Sequence, residues 1–269
     1  KSRITKNDLH DYIKIRLAIA AGGIVNHRRP DVDYSQWGAV EVQKLTKVKR
    51  ITGQRLQQAW QTIPHVTQFD TADITDLDVY RKAMKKNAAE ENIKVTFLPF
   101  LMKAVVRVLE EMPQFNSSLD HSGENLVLKH YYHLGVAVDT PQGLTVPVVQ
   151  DVNQKSVLEL SEALMDVSTR ARNKKLKPDE LKGGTFTISS LGGIGGTHFT
   201  PIVNPPEVAI LGVSRSHWQA VYDSVADQIT PRYILPFSLS YDHQVIDGAA
   251  GAAFTSRFAA ILEDVEQFK

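Results

Sequence analysis

The spacing of apolar positions changes several times along the chain, and each change marks an element. Over residues 3 to 17, Leu9, Ile13 and Leu17 recur every four residues, and Thr5 stands three before Asp8 as a capping box for a short amphipathic unit. Residues 20–38 carry no period. Their Ala20-Ala21-Gly22-Gly23 and His27-Arg28-Arg29-Pro30-Asp31 tracts hold breakers and read as a linker between domains. From Val40 onward helices and strands interleave. A helix is expected over 46–62, ending before Pro64, then a strand from His65 to Ile74 and helices near 76–90 and 98–111. Strands are expected at 125–129, 131–139 and 144–151, with Pro141-Gln142-Gly143 as the turn between the last two. Val157, Leu160, Leu164, Val167 and Ala171 give a helix over 156–172. Strands near 184–189, 207–214 and 232–241 follow, with a closing helix over 249–267. This order predicts an α/β domain built on a largely buried mixed sheet with flanking helices.

Composition narrows the function classes. Of 269 residues, 42% are apolar and 23% charged, which excludes wholesale disorder. A formal net charge of +1 argues against a nucleic-acid partner bound by bulk charge. No cysteine is present, so disulfides, thiolate metal ligands and a cysteine nucleophile are all excluded, and any thiol chemistry must arrive on a substrate. The longest apolar run, 95–109, is broken by Pro99, Lys103 and Arg107, so no membrane span is expected. The chain opens at Lys1 without a methionine or an apolar signal region and reads as a fragment of a longer, cytoplasmic polypeptide. Phosphate-loop, dinucleotide-fingerprint, zinc-helix and nucleophile-elbow motifs do not occur. His130 and His133 are near each other but project to opposite faces of an expected strand, so no metal site is expected there.

Two segments carry chemistry. In Leu239-Ser240-Tyr241-Asp242-His243-Gln244-Val245-Ile246-Asp247-Gly248, an apolar strand ends in a histidine, and a helix starts four residues later. A strand end presents its side chain to a cleft, and histidine is the natural base near neutral pH. Spacing alone makes Asp247 the N-cap of the last helix. In Gly183-Gly184-Thr185-Phe186-Thr187-Ile188-Ser189-Ser190-Leu191-Gly192-Gly193-Ile194-Gly195-Gly196-Thr197, a strand delivers two serines into a glycine-rich loop, where a ligand or another chain can approach the backbone closely. Consecutive residues at a strand end face opposite sides, so Ser189 and Ser190 cannot share one site.

Together these segments resemble a known family. Ser240 to Gly248 is similar to the His-x-x-x-Asp-Gly signature of dihydrolipoamide acyltransferases, of chloramphenicol acetyltransferases and of more distant CoA-dependent acyltransferases. Phe186 to Gly192 resembles the serine-bearing strand and loop of the first group. Ile63 to Phe69, Phe115 to Ser118, Val136 to Val148 and Pro201 to Val213 match that family in order, so the resemblance covers roughly 32–269. Within the family it is nearest to the acetyltransferases of bacterial pyruvate dehydrogenase complexes. Ser2 to Leu9 resembles the end of a peripheral subunit-binding domain, which gives an expected division into that remnant (1–19), a linker (20–38) and a catalytic domain (39–269). One departure is Gln244, where the family usually has arginine.

The resemblance implies a chloramphenicol acetyltransferase-like, trimeric catalytic domain that moves an acetyl group between dihydrolipoamide and coenzyme A. It implies His243 as the base, Ser189 as donor to the oxyanion and Asp247 as a third member of the catalytic set, with histidine and serine meeting across a trimer interface. Coenzyme A is then a substrate, and the lipoyl group is carried on upstream domains. No metal is implied. The implied partners are further copies, as trimers in a cubic cage, and the pyruvate-decarboxylating and dihydrolipoamide dehydrogenase subunits, which bind an intact subunit-binding domain. Alternatives are a succinyl- or branched-chain acyltransferase of a related 2-oxo acid dehydrogenase complex, an antibiotic acetyltransferase, and a non-catalytic core scaffold. The scaffold reading would be favoured by loss of His243 or Ser189, and both are present.

Overall fold

The computed structural model describes residues 5–20, 31–88, 90 and 92–269, which fall into two compact units, Lys1–Thr46 and Lys47–Lys269. In the first, the Asp8 carboxylate accepts from the Thr5 N–H at 2.7 Å and the Thr5 hydroxyl from the Asp8 N–H at 3.3 Å. This reciprocal cap starts α1 (Lys6–Ala20) where the capping box places it. The apolar stripe of α1 is open to solvent, with Leu9, Ile13 and Leu17 all exposed. Within the expected linker, 21–30 lies outside the described residues, as does the Ser2 to Ile4 part of the subunit-binding resemblance. The rest holds one 3-10 turn, Tyr34–Trp37, capped by the Asp33 carboxylate, which accepts from the Ser35 N–H at 3.0 Å.

The second unit runs α2 (Lys47–Thr62), β1 (His65–Asp73), α3 (Thr75–Ala88), α4 (Leu98–Glu111), β2 (Ser117–Leu119), β3 (Leu126–Leu128), β4 (Leu134–Val136), β5 (Val138–Thr140), β6 (Gly143–Thr145) and β7 (Val148–Val149). It continues with α5 (Val157–Arg172), β8 (Phe186–Ser190), β9 (Ala209–Val213), β10 (His217–Asp223), β11 (Gln228–Asp242) and α6 (Gly248–Glu263). The main sheet is mixed, in the order β1-β11-β9-β8-β4-β7, with β10 added to the end of β11 that β1 leaves free. Among the described residues, only β4–β8 and β8–β9 pair in parallel. Ile234 to Asp242 of β11 is buried, while residues 228–233, which pair with β10, are exposed or half-buried.

Helix α6 lies close against β11 because residue 251 is glycine: a Cβ there would stand 2.7 Å from the Tyr241 ring. That approach seats Phe254 against Phe115 and Phe186, with ring centroids 4.6 and 5.8 Å away, and Phe258 against Phe237 at 4.9 Å. All five rings are fully buried, so this is the centre of the core. Among the described residues, no helix is long and apolar enough to cross a membrane.

Three expectations need correction. The strand placed at 131–139 is two strands in different sheets, β4 and β5. Asn116 Nδ2 donates to the carbonyls of Lys129 and Tyr131 at 2.7 and 3.0 Å, so the chain before β4 is held by a side chain rather than by a ladder. The strand placed at 144–151 likewise splits into β6 and β7, separated by Pro147, which has no N–H to donate. The β5–β6 hairpin turns within the expected segment, at Pro141 and Gln142, with Gly143 already paired to Thr140. The closing helix stops at Glu263, where Asp264 caps a separate 3-10 turn, Val265–Phe268. The pattern predicts no strand at β2, which is too short for a clear period, or at β10, which is too polar for one.

Candidate functional site

Strand β8 sits inside the sheet with parallel neighbours on both sides, and Ser189 pairs Gly212 while Ser190 pairs Val213. The alternation of the strand separates the two hydroxyls, as the sequence requires. Ser189 lines a cavity of about 450 Å³ with Thr187, Thr145, Asn204, Arg55 and Phe199. Ser190 lines a different cavity of about 620 Å³ with Lys94, Asp139 and Arg172. In the loop that follows, a Cβ at Gly193, Gly195 or Gly196 would meet open space, and Gly196 has φ +86°.

His243 stands one residue beyond the end of β11. Its N–H donates to the Pro64 carbonyl at 3.1 Å, which fixes the backbone, while its ring is exposed, 6.1 Å from the Tyr241 ring. The buried Asp242 carboxylate accepts from the Gln244 N–H at 2.9 Å and from Gln244 Nε2 at 3.1 Å. A neutral amide thus replaces arginine's charge here without leaving the buried carboxylate unpartnered. Asp247 accepts from the Ala250 N–H at 2.8 Å, so it is the N-cap of α6.

Another histidine is built into the scaffold. His65 Nε2 accepts from the Val203 N–H at 3.0 Å, which requires the proton on Nδ1, and Nδ1 donates to the Ile63 carbonyl at 2.9 Å. Its ring stacks on Trp60 at 5.5 Å. With both nitrogens engaged, His65 positions the 202–204 segment and is not placed to take a proton.

The register measures how far apart Ser189 and His243 are within one chain. Ser189 pairs Gly212, which pairs Ser238, and the histidine lies further along β11, from position 238 to position 243. At ~4.8 Å per strand and ~3.3 Å per residue, that is roughly 10 Å across and 16 Å along the sheet. Two side chains cannot span such a gap. The structure brings neither Ser189 nor Asp247 into contact with His243 inside one protomer.

The sequence reading missed a carboxylate behind Ser189. Glu207, just before β9, is buried; it accepts from the Thr187 hydroxyl at 2.6 Å and from Asn204 Nδ2 at 3.3 Å. Burial pushes its carboxyl up to about 7, against the hydrogen bonds of Thr187 and Asn204 and the charge of Lys129, which pull it down. The available signal was a lone acid set directly against the apolar run Val208 to Val213. Among the described residues no cluster of three histidine or acidic side chains is placed to hold a metal.

The sequence family described as 2-oxoacid dehydrogenases acyltransferase (catalytic domain) matches residues 38–269. The dihydrolipoyllysine-residue acetyltransferase component of the pyruvate dehydrogenase complex of Pseudomonas aeruginosa is 50% identical over 98% of this chain and 49% of its own length. The corresponding component from Haemophilus influenzae is 48% identical over 99% of this chain and 50% of its own length. The chain thus spans about half the length of these curated relatives. Among solved structures, the dihydrolipoamide acetyltransferase of Azotobacter vinelandii, studied for the role of a serine, a histidine and an asparagine in its catalytic mechanism, superposes with a TM-score of 0.87 at 50% identity, covering 90% of this chain and 98% of that one. The cubic core of a pyruvate dehydrogenase multienzyme complex superposes equally well, at 0.87 and 49% identity, with the same coverage.

Proposed function

Because the chain belongs to the family of 2-oxoacid dehydrogenase acyltransferase catalytic domains, we propose that it transfers an acetyl group between dihydrolipoamide and coenzyme A, as the core acetyltransferase of a pyruvate dehydrogenase complex. The relatives from Pseudomonas and Haemophilus bear that name, and this supports acetyl rather than another acyl group. The observation that carries the mechanism is the separation of Ser189 from His243. A reaction that uses both needs the serine of one protomer and the histidine of another, so the working unit is an oligomer whose sites lie between subunits. A trimer within a cubic cage is the assembly we assign, in keeping with the cubic core that this chain resembles. The lipoyl group would reach the site on domains upstream of this chain, and the decarboxylating and dihydrolipoamide dehydrogenase subunits would bind a complete subunit-binding domain of which α1 is the tail.

The chemistry follows from the residues present. A thiol with a pKa of ~8.5 is mostly protonated at neutral pH, so attack needs a base. His243, exposed at a fixed strand end, takes the proton from the coenzyme A thiol as sulfur attacks the carbonyl carbon of the acetylated dihydrolipoamide. A C–S bond forms, and the carbonyl electrons move to oxygen. The Ser189 hydroxyl, in its cavity, donates to that oxyanion. Collapse breaks the original C–S bond, and the imidazolium returns the proton to the departing dihydrolipoamide thiolate. With no cysteine in the chain, the acetyl group passes directly between two substrate thiols. Asp247 acts through structure: by capping α6 it holds the turn that carries His243. The asparagine studied in the Azotobacter enzyme is consistent with this role, since asparagine caps as well as aspartate.

The test is a steady-state assay of the assembled chain with acetyl-CoA and dihydrolipoamide, read as release of free coenzyme A. Thioester exchange with saturation in both substrates is expected. An assembled protein that exchanges succinyl or branched acyl groups but not acetyl, or none at all, contradicts the proposal.

A further inference from the structure

Behind the cavity that holds Ser189 lies a polar group that the transfer chemistry does not use. Glu207 is buried, and its carboxylate joins two different walls of that cavity. One wall is β8, where Thr187 and Ser189 are two residues apart on the same face and both line the cavity. The other is the segment from Pro201 to Asn204, of which Pro201, Ile202 and Asn204 also line it. Thr187 Oγ1 donates to one carboxylate oxygen at 2.6 Å and Asn204 Nδ2 to the other at 3.3 Å. The Glu207 N–H also donates to the Asn204 carbonyl at 3.0 Å, so the tie to the second wall is double.

The surroundings are shaped around this group. A Cβ at Gly184 would come within 3.0 Å of Glu207 Oε1, and a Cβ at Gly135 would stand 2.7 Å from Thr187 Oγ1. Both glycines leave the space that the Thr187–Glu207 bond occupies, and any larger residue would push that pair out of place. Lys129 supplies the facing positive charge; its Nζ donates to the Ser117 carbonyl at 3.3 Å instead of bonding the carboxylate directly. A carboxyl buried without a direct ion pair costs stability, and a better packed apolar residue would cost less. Its presence calls for a role other than stability.

We propose that Glu207 is a positioning residue for the oxyanion donor: by clamping Thr187 to Asn204 it fixes where β8 presents the Ser189 hydroxyl. The inference rests on the reading of Ser189 as that donor. An oxyanion donor misplaced by a fraction of an ångström loses its benefit in the transition state while the substrates still bind. Loss of the clamp should therefore lower kcat and leave KM for both thiols alone.

The test compares Glu207→Ala, Glu207→Gln and Thr187→Val with wild type as assembled protein, checked by light scattering, using acetyl-CoA and dihydrolipoamide. Thr187→Val keeps shape and removes one hydroxyl, so it decides the matter if Glu207→Ala fails to assemble. Expected is a fall in kcat on the order of ten- to a hundred-fold in Glu207→Ala and Thr187→Val with KM within about two-fold, and recovery of most of that loss in Glu207→Gln, whose amide can still bridge both walls. Assembled variants with wild-type kcat, or with the loss confined to KM, overturn the inference while the wild-type turnover stands. A wild-type assembly that does not turn over these substrates overturns the functional reading itself.

Discussion

Replacing Ser189 by alanine removes one oxygen from a half-buried position on a strand paired on both sides. The backbone there is held by β4 and β9, so the fold loses little: a small exposed-to-intermediate substitution of this kind changes stability by roughly 0.5 kcal/mol. Catalysis should lose far more. The hydroxyl faces the cavity, and nothing else named on that stretch of β8 can replace it, because the Thr187 hydroxyl is spent on Glu207 and Ser190 faces the other cavity. Removal of one donor that acts on a developing oxyanion costs about 10²–10³ in rate, or ~3–4 kcal/mol of transition-state stabilisation. Steady-state kinetics with acetyl-CoA and dihydrolipoamide should show this in kcat, with KM for both substrates near the wild-type value. Ser190→Ala should stay within a few-fold of wild type, on the order of 1 kcal/mol or less. A slower Ser190→Ala than Ser189→Ala would move the oxyanion role to the other cavity and refute the facing assigned to β8.

Other expectations follow from the same geometry. Asp247→Asn should keep the N-cap bond to Ala250 and most activity, whereas Asp247→Ala should lose about 0.5–2 kcal/mol of stability together with activity; equal activities in the two variants would separate the cap from the turnover. Phe254→Ala, at the centre of the buried ring cluster, should cost ~3–5 kcal/mol in urea unfolding, and a loss below about 1 kcal/mol would contradict the packing described. Glu207 gives a pH dependence of defined sign. Burial raises its carboxyl from the ordinary value of 4.5 to about 7, so the folded chain holds its proton more tightly than the unfolded chain does. The stability this confers is complete below about 4.5 and is lost as pH rises towards 7. Urea midpoints at pH 5 and pH 8 should therefore fall less in Glu207→Gln than in wild type, and identical slopes would show that the carboxyl titrates normally.

The parts of the fold that the sequence made legible are those where local pattern and tertiary context agree. The Thr5–Asp8 cap, the three/four spacing of Val157 to Ala171 and the apolar run ending at His243 all became the elements expected. Where a side chain from elsewhere takes over backbone hydrogen bonds, as Asn116 does for Lys129 and Tyr131, a continuous strand pattern breaks, and nothing local signals it. The site divides in the same way. Alternation alone was enough to separate Ser189 from Ser190, and spacing alone to make Asp247 a cap. The Glu207 clamp needed two segments, 184–187 and the 204–207 turn, to meet in space, and no periodicity reports such a meeting. Nor does the chain order reveal the gap between Ser189 and His243, which follows only from the β8–β9–β11 register.

That gap makes the shared site the central claim, and subunit mixing tests it most directly. Ser189→Ala and His243→Ala chains, each nearly inactive alone, are mixed in equal amounts, dissociated and reassembled, and assayed with acetyl-CoA and dihydrolipoamide. If every site draws its serine from one protomer and its histidine from a neighbour, random trimers restore both groups at about one site in four, and about a quarter of wild-type activity should return. Reassembled mixtures no more active than their parents would place both groups in a single chain and contradict the account.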